Sequence, residues 1–279
     1  MNRTSNIAYQ GEPGAFSEEA AAIYFGKSIR TTPCKSFTDV FRGVERKRCD
    51  FGIIPIENSL FGSIHENYDL LQRHSLFITG EVKLRVVHSL LANKGVTLKN
   101  VRYIYSHPQA IGQCDRFLGS VPRVESVAMY DTAGAAKFIK NERRLDAAAI
   151  ASARAAKIYG LNILRRGIEN DHTNFTRFLV LSRKHSSPKK RAKTSIVFSM
   201  NDIPGALFKA LSVFAMRDIN LHKIESRPLV GKPWEYLFYV DFEGSLDSER
   251  AKNSLRHLEE ITAYLRVLGS YEEAPNPSL

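Results

Sequence analysis

Asn174-Phe175-Thr176-Arg177-Phe178-Leu179-Val180-Leu181 puts a hydroxyl and a guanidinium directly before an apolar strand, at the point where the grammar of the chain changes. Everything before it alternates strand and helix. Ile7-Ala8-Tyr9 reads as a strand and Gly11-Glu12-Pro13-Gly14 as a loop. Ser17 then reads as the cap of a helix that carries Glu18 and Glu19 in its first turn and stops at Gly26. Ser36 with Asp39 opens a second helix, Phe51 to Ile56 is a continuous apolar run suited to a buried strand, and Ile64, Tyr68 and Leu71 mark one face of a third helix. Val82, Leu84 and Val86 alternate with Lys83 and Arg85. Further strands are expected at 101–105, 147–151 and 178–181, with helices opening near Ser106, Asp131 and Ser152. Such an order predicts an α/β sheet covered on both faces.

Beyond Leu181 the pattern is strand 195–200, helix 204–217, strand 221–226, strand 236–242, helix 248–258 and strand 262–268, the βαββαβ order of a ferredoxin-like module. A module of this kind exposes a sheet edge that a second copy can cover, which predicts an oligomer. Between the two parts, Arg183, Lys184, Lys189, Lys190, Arg191 and Lys193 crowd around Ser186, Ser187 and Pro188. Without interleaved aromatic residues this stretch reads as a solvated linker rather than a nucleic-acid patch.

At 279 residues and 43% hydrophobic content the chain can bury more than one core, and its formal charge of +11 bears on partners and solubility, not on fold. Cys34, Cys49 and Cys114 are odd in number, widely spaced and free of any Cys-x-x-Cys pair, so neither a disulfide framework nor a zinc site is expected. Met1-Asn2-Arg3-Thr4-Ser5-Asn6 leads into a strand with no apolar signal segment, and no stretch approaches the length of a bilayer span. These features predict a reducing cytoplasm, with no membrane and no nucleic-acid partner.

G-x-G-x-x-G, Walker, G-x-S-x-G and H-E-x-x-H motifs are all missing, which leaves a reaction of a small anion without cofactor or metal. Helix starts that follow strands attract anions, and Ser106-His107-Pro108-Gln109 is the clearest instance. Its serine and glutamine have capping-box spacing, its proline suits the first turn, and Ile111, Cys114 and Leu118 continue one apolar face. Pro55-Ile56-Glu57-Asn58-Ser59 ends another strand in polar side chains, where open α/β sheets bind ligands. His65, His88, His107 and His172 are scattered and read individually as surface or satisfied core histidines.

Tyr9-Gln10-Gly11-Glu12-Pro13-Gly14-Ala15-Phe16-Ser17, Pro55-Ile56-Glu57-Asn58-Ser59, Ser106-His107-Pro108-Gln109-Ala110, Asp131-Thr132-Ala133 and Thr176-Arg177-Phe178 resemble, in this order, the motifs of prephenate dehydratases. The tail is similar to the regulatory ACT domain of that family, in which the segments matching Gly205-Ala206-Leu207 and Glu225-Ser226-Arg227-Pro228 bind phenylalanine. Phe61 departs from the pattern, since relatives often carry a small residue there. Ala151-Ser152-Ala153-Arg154-Ala155-Ala156 and Leu265-Arg266-Val267-Leu268-Gly269-Ser270-Tyr271 look like plant arogenate dehydratases, which perform the same elimination on the transaminated acid.

The resemblance implies a catalytic domain over 1–182, built like a type-II periplasmic binding protein, with lobe 1 at about 1–80 and 168–182 and lobe 2 at about 81–167. A basic linker at 183–193 and the ACT domain at 194–279 follow. The cleft between lobes would hold prephenate and convert it to phenylpyruvate, with loss of water and carbon dioxide. Arogenate is the alternative substrate, and a non-catalytic amino-acid sensor the distant alternative. Thr176 is then the candidate catalytic group. A threonine hydroxyl is too weak an acid to ionise usefully near neutrality, so its role would be that of a positioned donor to the departing hydroxyl. Glu57, Asn58, Ser106, His107, Gln113, Thr132, Arg177 and Phe178 are the candidate substrate-binding residues. Of these, Arg177 can meet a carboxylate or pair with an internal acid, and Phe178 packs beneath the site. The resemblance further implies feedback by L-phenylalanine and a homodimer through the ACT domains, assembled into a homotetramer.

Overall fold

The computed structural model describes residues 4–26, 28–188 and 191–275, so Lys189 and Lys190 of the basic stretch lie outside the described residues. Contacts divide the chain into two compact units: one holds the described parts of Met1–Ile64 and Val82–Phe178, the other His65–Glu81 and Leu179–Pro275. Among the described residues no helix is long and apolar enough to cross a membrane.

The chain opens with β1 (Asn6–Gln10), α1 (Phe16–Phe25), β2 (Arg30–Cys34), α2 (Phe37–Glu45) and β3 (Phe51–Asn58). β1 pairs in parallel with both β2 and β3, Ile7 lying opposite Thr31 on one side and Phe51 on the other. Helices α1 and α2 pack on β1 and β3, which is why Phe51 to Ile56 is apolar without alternation. Ser36 caps α2 as its position suggests, its hydroxyl accepting from the Asp39 amide. The short β4 (Gly62–Ser63) folds back on the end of β3, and α3 (His65–Arg73) and β5 (Phe77–Arg85) follow.

The second sheet comprises β6 (Ser89–Ala92), β7 (Tyr103–Ser106), β8 (Glu125–Ala128), β9 (Ala147–Ala151) and β10 (Asn162–Arg166) in the order β10-β6-β9-β7-β8. With it go α4 (Pro108–Gln113), α5 (Asp115–Ser120), α6 (Thr132–Asn141) and α7 (Ala153–Tyr159). Strand alternation divides β9 between two cores: Ala147, Ala149 and Ala151 share one with Ile139 and Ala155, whereas Ala148 and Ile150 share the other with Ala110 and Cys114. β11 (Phe175–Ser182) then returns to the first sheet, whose order is β2-β1-β3-β11-β5. Two α/β lobes with one strand returning to the first are the expected binding-protein-like arrangement.

The remainder is ferredoxin-like: β12 (Ala192–Ser199), α8 (Ala206–Ala215), β13 (Leu221–Pro228), β14 (Tyr236–Glu243), α9 (Glu249–Ile261) and β15 (Tyr264–Glu272), in sheet order β13-β14-β12-β15. Ile196, Phe198, Phe214, Val240, Phe242 and Leu258 form its core. The same unit takes in α3. Carbonyls at a helix end lack intrahelical partners, and here the Arg266 guanidinium donates to those of Leu71, Gln72, His74 and Leu76 at 2.7–3.3 Å. The Tyr239 hydroxyl donates to the Tyr68 carbonyl at 2.9 Å. Backbone runs so close to β15 that a Cβ on Gly269 would sit 2.0 Å from the Ile78 oxygen, so no other residue fits there.

Three local expectations are corrected. Ser17 lies inside α1, which starts at Phe16 with Ala15 as its N-cap and no side-chain cap; the Glu18 carboxylate reaches back to accept from the Gly14 amide before the helix. Ser106 makes no capping box: His107 caps α4, its Nδ1 accepting from the Gln109 amide, and the expected continuous helix breaks at Cys114 into α4 and α5. Lys193 is not part of a solvated segment. It sits in β12, buried, with Nζ 2.9 Å from Glu81 and 3.7 Å from Glu273, because a buried ammonium requires charged partners.

Candidate active site

The loop after β1 joins the two lobes. Glu12 accepts from the Tyr130 hydroxyl at 3.1 Å and from Lys137 at 3.0 Å, while its amide donates to Asp131 at 3.2 Å. The Ser152 hydroxyl donates to the Gly14 carbonyl at 2.7 Å, and Arg154 meets Glu18 at 3.1 Å. Burial opposes ionisation of Glu18, but Arg154 and the Gly14 amide outweigh it and hold the carboxyl below its usual pKa. Gly14 has φ +96°, and a Cβ there would lie 2.7 Å from Ala155 Cα, so only glycine lets the loop dock this closely on α7.

Between the lobes lies a cavity of about 520 Å³, lined by Gln10, Phe16 and Ser17 after β1, by Asn58 and Phe61 to Ile64 after β3, and by Thr176 and Phe178 of β11. The opposite wall carries His107, Gln109 and Gln113 after β7 and Tyr130, Asp131 and Thr132 after β8, with Val86 and His88 at the crossing. Most of these residues follow the carboxyl ends of strands, the usual ligand position in such sheets. Among the described residues no group of three or more His, Cys, Asp or Glu side chains is gathered closely enough to hold a metal ion.

Asn58 and Thr176 are hydrogen-bonded to each other in the wall. The Asn58 carbonyl oxygen accepts from the amides of Leu60 and Phe61 at 3.0 and 3.1 Å, which fixes the orientation of its carboxamide. Its nitrogen donates to Asn174 Oδ1 at 2.8 Å and to Thr176 Oγ1 at 3.0 Å. Thr176 Oγ1 is therefore an acceptor toward the protein, and its own hydrogen remains for the cavity.

The structure brings Asn58, His107, Gln113, Thr132, Thr176 and Phe178 to one cavity; Glu57, Ser106 and Arg177 do not line it. The Ser106 hydroxyl is buried and donates to the Ile150 carbonyl at 2.7 Å. Arg177 alternates to the other face of β11 from Thr176 and Phe178, and its guanidinium lies 3.9 Å from Glu57. His107 accepts at Nδ1, which leaves its hydrogen on Nε2. Phe61 lines the entrance and is mostly exposed.

Alternation also divides the tail motif. Glu225 and Arg227 face α3, Glu225 lying 3.2 Å from His65 and Arg227 forking onto Asp69 at 3.1 and 3.3 Å, whereas Ser226 and Pro228 are exposed. Gly205 opens α8, with Ala206 and Leu207 in its first turn.

Two cavity residues with marked environments are missing from the candidate substrate-binding set. His88 is buried, with Nε2 2.6 Å from Gln113 Oε1, and burial holds its pKa below the ordinary histidine value. Its only trace in the sequence is polarity inside the run Val86-Val87-His88-Ser89-Leu90-Leu91. Asp131, where the sequence predicts that a helix opens, is the N-cap of α6; burial pushes its pKa up against the lowering effect of the Gly134 and Glu12 amides.

Residues 7–186 match the Prephenate dehydratase family and residues 194–260 the ACT domain. Arogenate dehydratase/prephenate dehydratase 2, chloroplastic, of Arabidopsis thaliana is 54% identical over 276 residues, covering 95% of this chain and 72% of that protein. Among solved structures, prephenate dehydratase from Arthrobacter aurescens in complex with L-Phe has a TM-score of 0.88 at 30% identity, over 96% of this chain and 90% of that one. GqqA, a novel type of quorum quenching acylase, has a TM-score of 0.89 at 34% identity, over 97% of this chain and 98% of that one. With a family match across both lobes and the cavity walls between them, the chain belongs to the prephenate dehydratase family and carries an ACT domain in its last third.

Proposed function

We propose that the chain catalyses the decarboxylating dehydration of prephenate to phenylpyruvate, a step toward L-phenylalanine, under feedback by L-phenylalanine. The observation that carries the mechanism is the Asn58 to Thr176 hydrogen bond. In the reaction the ring carbon–oxygen bond breaks and the leaving hydroxyl takes up a proton to depart as water. The electron pair of the bond to the ring carboxylate becomes the new ring π bond, and carbon dioxide leaves. Aromatisation supplies the driving force; the protein adds orientation and a donor where negative charge develops on oxygen. Thr176 is that donor, already turned toward the cavity because its oxygen is occupied by Asn58. Acyl transfer is less favoured, since a nucleophilic hydroxyl donates to a base and this one accepts from an amide.

Arogenate is the second reading, and one residue favours it. Among the described residues lining the cavity, the only Asp, Glu, Lys or Arg is Asp131. A carboxylate there repels the dianion prephenate and attracts the ammonium group by which arogenate differs.

For the effector, we place phenylalanine at Gly205-Ala206-Leu207 and at the exposed side of β13 formed by Ser226 and Pro228, with Glu225 and Arg227 relaying its presence to α3. That helix begins at the residue after Ile64, which lines the cavity. Regulation then requires that phenylalanine bind one of two arrangements of β13 and α3 more tightly. A second copy paired through the tail would cover exposed Ile203 and Phe208, in a homodimer and then a homotetramer. The three free cysteines fit a reducing cytoplasm, and a plastid interior kept reducing would meet the same requirement.

Steady-state assays on both acids test the reading. Thr176→Ala is expected to lower kcat about 100-fold with KM changed less than about threefold; a kcat within threefold of the parent removes Thr176 from the mechanism. Asp131→Asn is expected to shift the arogenate-to-prephenate ratio of kcat/KM toward prephenate by about tenfold, and an unchanged ratio excludes electrostatic discrimination at this residue. Asp69→Asn, which breaks the fork from Arg227, is expected to raise the phenylalanine concentration for half-inhibition about tenfold with uninhibited turnover unchanged. Inhibition identical to the parent rules out the α3 relay.

A further inference from the structure

We infer that His88 is a positioning residue for this reaction, acting through Gln113: it holds the carboxamide so that N–H groups, not the carbonyl, meet the oxygens of the substrate. The inference rests on the dehydratase reading above. His88 lies between β5 and β6 on the cavity wall, with its backbone held on both sides. Its amide donates to Glu169 at 2.9 Å, and its carbonyl accepts from the Ile168 amide at 3.1 Å. The ring stands edge-on to Phe16, centroids 5.6 Å apart, so backbone and packing together select one pose.

Only 2.6 Å separates His88 Nε2 from Gln113 Oε1. A carboxamide oxygen only accepts, so Nε2 carries the hydrogen and Nδ1 does not. With Oε1 turned to His88, the two hydrogens on the Gln113 nitrogen are left for the cavity that this side chain lines. Gln113 is fixed at its backbone as well, its carbonyl accepting from the Asn170 amide at 2.7 Å. The two ends of a carboxamide are almost the same size, so without His88 a half-turn would present the oxygen instead. Against carboxylate and hydroxyl oxygens that reversal sets acceptor against acceptor.

His88 Nδ1 is buried and has no hydrogen-bond partner among the described residues. A buried polar atom left unmatched requires an explanation, and a histidine with a purely structural role is normally satisfied at both nitrogens. Burial holds the pKa of the ring below the ordinary histidine value.

Two measurements on the full chain decide the matter. Nitrogen-15 NMR of the histidine rings is expected to show His88 with hydrogen on Nε2 and a bare Nδ1. The opposite tautomer overturns the inference, because Gln113 would then be donating to the ring. In a double-mutant cycle, His88→Phe is expected to lower kcat/KM about tenfold in the parent but less than about twofold in a Gln113→Leu background. His88→Gln, which keeps a donor, is expected to recover most of the loss. Equal losses in both backgrounds overturn the inference; should His88→Phe fail to fold, the tautomer and the Gln variant decide alone. If the parent turns over neither acid, the dehydratase reading fails, and the tautomer still decides how His88 holds Gln113.

Discussion

The polarity of the site depends on the orientation of one carboxamide. Asn58 sits where β3 ends, and the turn that follows presents the amides of Leu60 and Phe61 to its oxygen. A side chain amide has one acceptor end and one donor end, so fixing the first toward that turn aims the second at β11. Thr176 consequently receives a hydrogen bond and has one to give. Reversal of the carboxamide would set its N–H groups against the amides of Leu60 and Phe61, donor facing donor, and the turn thereby protects the polarity of the site.

The two lobes are held at that site by contacts which draw on the glycine loop after β1. Glu12, Gly14 and Glu18 meet Tyr130, Lys137, Ser152 and Arg154, which come from the second lobe. Partly buried ion pairs of this kind add little net stability but are costly to break singly. Their consequence here is geometric: the cavity wall bearing Gln113 and Asp131 is brought to face Thr176. Within the other unit the Arg266 fork on the end of α3 and the Asp69 to Arg227 fork on its side bind that helix to the tail sheet. A segment counted by sequence with the first lobe is thus structurally allied to the regulatory module.

Legibility in the sequence followed the range of the forces involved. β1, its glycine loop and β3 could be read because parallel burial and chain reversal are local, and the tail order could be read from periodicity alone. The family resemblance named Asn58 and Thr176, and the structure brings both to one cavity, but their mutual hydrogen bond spans 118 positions and no local pattern announces it. Ser106 has the spacing of a cap, yet its hydroxyl found the Ile150 carbonyl across the sheet and left capping to His107. Lys193 looked like one charge among six until Glu81, 112 positions away, provided a buried partner. His88 was passed over because a single histidine in an apolar run has many satisfied explanations, and only its distance to Gln113 distinguishes them.

Asn58→Asp probes the polarity of the site without changing shape, since it replaces the donating nitrogen by an oxygen of nearly the same size. The Thr176 hydroxyl is expected to turn and donate to the new carboxylate, and kcat to fall about 100-fold, with no further fall on adding Thr176→Ala. A kcat within threefold of the parent, in a variant of unchanged Tm, would contradict this.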